Sequence, residues 1–243
     1  MQIRNITKLI LITCPGATKG WLLLLFSSVS LLAMGQNVRY DTIRYARTHY
    51  EKRIAIFKAE KVIKSNIIFL GNSLTQFGDW QKLLGDSTVI NRGIAGDNTY
   101  GVLERLDDVN SRKPNKLFIE IGINDISQNI PSKIIVKNIR TIVKYIHENS
   151  PATQIYITSV LPTNDNVKNE YPASFHKDDQ IDFTNRILKR RAVSDNYIYL
   201  NLNRQVRDKD GALDTKYAQS DGLHLNQLGY SVWAKMISDV LVQ

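Results

Sequence analysis

The chain encodes an α/β protein whose core is a parallel sheet covered by helices on both faces. Two observations predict it. Five brief apolar runs, Ile67–Leu70, Val89–Ile90, Leu117–Ile121, Ile155–Leu161 and Tyr197–Leu200, are rich in β-branched and aromatic residues and mostly lack polar alternation. That is the pattern of strands buried on both faces. Segments with three- and four-residue apolar spacing lie between the runs, and such alternation returns each strand to the same direction through a covering helix.

Taken in order, residues 38–64 read as a helix preceding the main fold, with Ile43, Ala46, Tyr50, Ile54 and Phe57 at helical spacing and basic residues between them. Its stripe reads as a packing face. Tyr100 to Val109 predicts a helix carrying Val102, Leu103 and Leu106. Ser132 to Glu148 predicts a longer one, with Pro131 as its start signal and Pro151 as its stop. Ile181 to Arg191 and Gln227 to Leu241 complete the set. Pro162 to Lys177, with Asn164-Asp165-Asn166 and Tyr171-Pro172, reads as a surface loop positioned to border a substrate site.

The first 35 residues have the layout of an export leader. Arg4, Lys8 and Lys19 precede any acidic residue, an apolar stretch opens at Trp21, and Ala33-Met34-Gly35 places small residues two apart. Cleavage is expected before Gln36, giving an exported, periplasmic or extracellular protein. Residues 36–243 then form one domain, of which 36–65 is a helical extension. The apolar stretch is shorter than the roughly 20 residues that span a bilayer; retention as an anchor is the alternative. Cys14 is the only cysteine, so the domain after the leader contains none, and neither disulfides nor thiolate chemistry is available to it. The net charge of +9 comes from cations spread along helices, with no interleaved aromatics. It reads as a solvated basic surface and not as a nucleic-acid site.

Four short segments carry the chemistry. Ser73 lies in Gly71-Asn72-Ser73-Leu74-Thr75 directly after the first apolar run, and Asp221-Gly222-Leu223-His224 lies near the other end of the chain. Together they supply a hydroxyl, an imidazole and a carboxylate, the groups needed to activate an oxygen nucleophile. Ligands of an open parallel sheet bind beyond the carboxyl ends of its strands. Ser73, Gly93 and Asn124 follow the first three runs, so all three should meet at one rim. A serine in this place also caps helices, and Gly93 and Asn124 are ordinary turn residues when taken singly. Jointly they propose Ser73 as nucleophile, His224 as base and Asp221 as its orienting acid. Gly93, Asn124 and the Ser73 backbone N–H would hold the oxyanion. Thr75 breaks the Gly-x-Ser-x-Gly pattern of α/β-hydrolases, and the phosphate loop of nucleotide-binding proteins is missing.

These segments resemble the four blocks of the SGNH (GDSL) hydrolase superfamily: Gly71-Asn72-Ser73-Leu74, Asn91-Arg92-Gly93 through Gly96-Asp97, Gly122-Ile123-Asn124-Asp125 and Asp221-Gly222-Leu223-His224. The resemblance covers about residues 66 to 240. It departs at Asn72, where the family name has aspartate. It implies a three-layer α/β/α sandwich with a five-stranded, flavodoxin-like parallel sheet and a Ser-His-Asp mechanism without metal or cofactor. Gly96-Asp97-Asn98-Thr99 followed by Val102 to Leu106 resembles the branch of platelet-activating-factor acetylhydrolase catalytic subunits and bacterial acetylesterases, which implies a short acyl group. The expected substrate is a small-molecule or glycan ester. A lysophospholipase or lipase, a non-catalytic glycan-binding relative and an acyltransferase are the alternatives.

Overall fold

A computed structural model describes residues 44–63 and 66–242. The leader, its expected cleavage site and Cys14 lie outside the described residues. The elements run α1 (Arg44–Ala59), β1 (Ile67–Gly71), α2 (Ser73–Gln76), α3 (Trp80–Leu84), β2 (Ile90–Gly93), α4 (Thr99–Leu103), α5 (Leu106–Ser111), β3 (Lys116–Glu120), α6 (Ile123–Ser127), α7 (Ser132–Asn149), β4 (Gln154–Thr158), α8 (Val167–Glu170), a 3₁₀ turn (Pro172–Ser174), α9 (Asp178–Arg191), β5 (Ile198–Leu200), α10 (Leu202–Val206) and α11 (Gln227–Leu241). The strands form one five-stranded sheet in the order β2-β1-β3-β4-β5. Every pairing is parallel.

Side chains of a strand alternate between faces, and each face here buries its own layer. Ile68, Leu70, Leu117, Ile119, Ile155 and Ile157 pack with α7 and α9 through Ile139, Ile142, Ile146, Ile181 and Leu188. The opposite face is aromatic. Phe69 stacks on Trp80 and Phe118, and Phe118 stacks on Tyr156, with ring centroids 4.0, 5.0 and 4.4 Å apart. Trp233 of α11 meets Trp80 edge-on at 4.8 Å. Burying both faces explains why the apolar runs lack alternation.

Several boundaries differ from the sequence expectation, each for a local reason. The helix expected over Tyr100–Val109 is two helices, α4 and α5, broken at Arg105. Arg105 is the non-helical cap between them (φ −126°, ψ 18°), and its guanidinium turns inward to Asp97 and to the carbonyls of Arg92 and Gly71. The fourth run stops being strand at Thr158, because Asn185 takes up both backbone groups of Val160. The segment 162–177 is more ordered than a surface loop. It contains α8 and the 3₁₀ turn, and Val167 and Ser174 are buried.

Candidate active site

β1 ends at Gly71, where a Cβ would fall 2.1 Å from the Glu120 carbonyl oxygen of β3. Only glycine permits that approach. Asn72 then accepts the Leu74 N–H at 2.9 Å and so starts α2, which places Ser73 in its first turn. The Ser73 hydroxyl reaches His224 Nε2 at 2.9 Å. His224 Nδ1 lies 2.5 Å from Asp221 Oδ2, and Asp221 Oδ1 accepts the backbone N–H groups of Leu223 and His224, each at 2.9 Å. The carboxylate fixes the tautomer: Nδ1 donates to Asp221, so Nε2 is bare and accepts from Ser73. Burial by itself would raise the Asp221 pKa, but the hydrogen bonds from the His224 ring and the two N–H groups hold it below the usual aspartate value. The His224 ring is packed between Phe77 and Tyr171, with centroids 5.3 and 5.6 Å away. All three residues are buried.

The oxyanion corner differs from expectation at one residue. The Gly93 N–H donates to Asn91 Oδ1 at 2.8 Å and is therefore spent, and Gly93 does not line the pocket above Ser73. The glycine that does is Gly96. Its φ of +80° is one that L side chains rarely adopt, and its N–H makes no hydrogen bond among the described residues. The sequence segment holds both glycines, and only the backbone path through Ile94-Ala95 decides which of them faces Ser73. Asn124, in the first turn of α6, donates from Nδ2 to the Asp97 carbonyl at 2.8 Å, which leaves its second amide hydrogen for a ligand. Ser73, Gly96, Asn124 and His224 line one pocket of about 530 Å³, with Phe77 and Tyr171 among its apolar walls.

Buried polar groups hold this corner. The Arg105–Asp97 ion pair, at 2.8 Å, ties the segment after Gly96 to the β1 and β2 termini. Asp125, next to Asn124, accepts the Thr99 N–H and, at 2.5 Å, its hydroxyl, and Asn138 donates to that hydroxyl at 2.9 Å. Burial pushes the pKa of Asp97 up to about 6 against the pull of Arg105, and that of Asp125 up to about 7. Glu120, at the end of β3 opposite Gly71, is fully enclosed, and neither carboxyl oxygen has a hydrogen-bond partner of good geometry. Its pKa is pushed up to about 8 by burial, only partly offset by the Asn72 amide. Sequence reasoning gave Arg105, Glu120 and Asp125 no role of their own, because a charged residue carries no mark of its burial. Among the described residues no three His, Cys, Asp or Glu side chains converge in a metal-binding cluster.

A parallel α/β sheet with a hydroxyl, imidazole and carboxylate aligned at its carboxyl edge defines the serine-dependent acyl hydrolases as a class. The chain belongs to the GDSL-like lipase/acylhydrolase family, whose model matches residues 69–232, and with it to the SGNH hydrolases, which cleave ester bonds. Curated relatives include the platelet-activating factor acetylhydrolase IB subunit alpha1 of Pongo abelii, 23% identical over 184 residues, covering 73% of this chain and 75% of the relative. The alpha2 subunit of Homo sapiens is 25% identical over 198 residues, covering 73% and 76%. Among solved structures, one from Streptococcus pneumonia described as a platelet activating factor superposes with a TM-score of 0.72 at 27% identity, covering 81% of this chain and 94% of that one. A GDSL-like lipase from Bacteroides thetaiotaomicron gives 0.66 at 21% identity, covering 79% and 97%, and shares the fold.

Proposed function

We propose that the protein is an exported serine esterase that removes short acyl groups, acetyl above all, from carbohydrate or glycoconjugate esters. The observation that carries the mechanism is the Ser73–His224–Asp221 alignment, with contacts of 2.9 and 2.5 Å. Ser73 Oγ attacks the ester carbonyl as its proton passes to His224 Nε2. The imidazolium is stabilised by Asp221, and the oxyanion is held by the N–H groups of Ser73 and Gly96 and by the free hydrogen of Asn124 Nδ2. His224 then protonates the departing alcohol, leaving acyl-Ser73. Water, deprotonated by His224, repeats the attack and releases the acid.

The acetyl assignment is supported by the names of the acetylhydrolase relatives. Export is supported by the leader pattern of residues 1–35, and the carbohydrate assignment rests on export and family likeness. The test is a series of 4-nitrophenyl esters from acetate to palmitate, with Ser73→Ala as control. Acetate should be the best substrate and Ser73→Ala should lose at least about a thousandfold in kcat. A fluorophosphonate should label Ser73 in the folded wild type. A long-chain optimum would replace the acetyl assignment with a lysophospholipase or lipase, and a failure to label would replace catalysis with glycan binding.

A further inference from the structure

The family match begins at residue 69, yet α1, at Arg44–Ala59, is built into the active site. Ala46 and His49 line the same pocket as Ser73, Gly96 and His224. The helix is fastened to the segment that carries Gly96. Tyr50 donates to the Gly101 carbonyl at 2.8 Å, and the Arg92 guanidinium lies 4.3 Å from the Phe57 ring centroid. A Cβ on Gly96 would fall 2.6 Å from the Ala46 Cβ, so the helix and the oxyanion turn are in direct contact.

His49 is chemically specified by its neighbours. Its Nε2 lies 2.9 Å from Gln76 Oε1, and the same oxygen accepts the Ala95 N–H at 2.7 Å. A backbone N–H can only donate, so the Gln76 atom is the oxygen and not the amide nitrogen. His49 Nε2 must therefore carry the proton, and Nδ1 of the neutral ring is an acceptor. Nδ1 has no hydrogen-bond partner among the described residues, and the residue is only half-buried.

We infer that α1 is a substrate-binding wall of the active site and that His49 Nδ1 accepts a hydrogen bond from a hydroxyl group of the bound ester. The complementary substrate is an ester of a polyhydroxylated alcohol, such as a partly acetylated sugar with free hydroxyls beside the acyl group. This assignment rests on the esterase reading given above and deepens it.

The experiment compares two acetyl esters on the full-length protein: 4-nitrophenyl acetate, which has no hydroxyl, and a mono-O-acetylated methyl xyloside, which has free ones. His49→Phe keeps a ring but removes the acceptor. His49→Asn retains an acceptor close to the Nδ1 position while giving up the bond to Gln76. His49→Phe should raise KM for the xyloside about three- to tenfold more than it raises KM for 4-nitrophenyl acetate, the effect of one lost neutral hydrogen bond. His49→Asn should keep most of the preference for the xyloside. Equal losses on both substrates in both variants would make His49 a packing residue and overturn the assignment, as would an unchanged KM for the xyloside in His49→Phe. A wild type inert toward both esters would instead refute the esterase reading itself, and the assignment with it.

Discussion

Glu120 behind the nucleophile turn gives the most quantitative prediction, through Glu120→Gln. In the unfolded chain its carboxyl titrates at the ordinary 4.5, and in the fold at about 8. The folded state therefore holds its proton longer. By linkage, the stability from the neutral carboxyl is fully present below pH 4.5 and is lost as pH rises toward 8. At about 1.4 kcal/mol for each pH unit between the two values, the loss is on the order of 5 kcal/mol. Glutamine cannot ionise, so the variant avoids that loss. Its extra N–H groups enter a space where the carboxyl oxygens already lack good partners, which costs about 1–3 kcal/mol at every pH. The two terms cross. Glu120→Gln should melt below the wild type at pH 5 and at or above it at pH 9. The gap should move by about 10 °C across that range for a domain of this size. Asn72 and Tyr230 are the other polar groups that sense this carboxyl, and Tyr230 is itself held neutral by burial and by the proximity of Glu120. Thermal melts followed by circular dichroism at pH 5, 7 and 9 would measure it. A gap between the two proteins that stays constant with pH would show that Glu120 is ionised or hydrated in the fold, and the reasoning would fail.

Two other perturbations separate the parts of the site. Asp221→Asn should lower kcat by about a thousandfold or more with little change in melting temperature. An amide that donates to His224 Nδ1 imposes the wrong tautomer and leaves Nε2 protonated against Ser73; steady-state kinetics on 4-nitrophenyl acetate checks it. Asn124→Ala should lower kcat about a hundredfold and leave KM within about a factor of two, since the donor acts on charge that develops only in the transition state. A KM rise of the same size as the kcat loss would place Asn124 in ground-state binding instead.

Much of the architecture was legible before any coordinates. The apolar runs mark β1, β3 and β4 because a strand enclosed on both faces has no solvent side on which to place polar residues, whereas the edge strand β2 shares only Ile90 with its run and the edge strand β5 leaves Ile198 exposed. α11 begins and ends at the predicted Gln227 and Leu241, where Asn226 accepts the Leu228 and Gly229 N–H groups as an N-cap. Ser73, Asp221 and His224 could be picked out together because strand order carries each to the same edge. Other features could not be read from local pattern. The break at Arg105 coincides with an ion pair to Asp97, and helical spacing on either side of it gives no warning.

The sequence by itself determined the class of fold, the rim on which polar side chains gather and the hydroxyl, imidazole and carboxylate that meet there, since each depends on residue type and on position after a strand. Tertiary structure decided which glycine faces Ser73, because the Gly93 N–H is consumed by Asn91 while Gly96 turns through positive φ into the pocket. It likewise decided that α1 is a wall of the site, since Ala46 and His49 reach the pocket across contacts with the β2–α4 connection. The physical reason is the same in both cases. A hydrogen bond is spent or free according to which atoms lie within about 3 Å of it, and segments distant along the chain bring those atoms there.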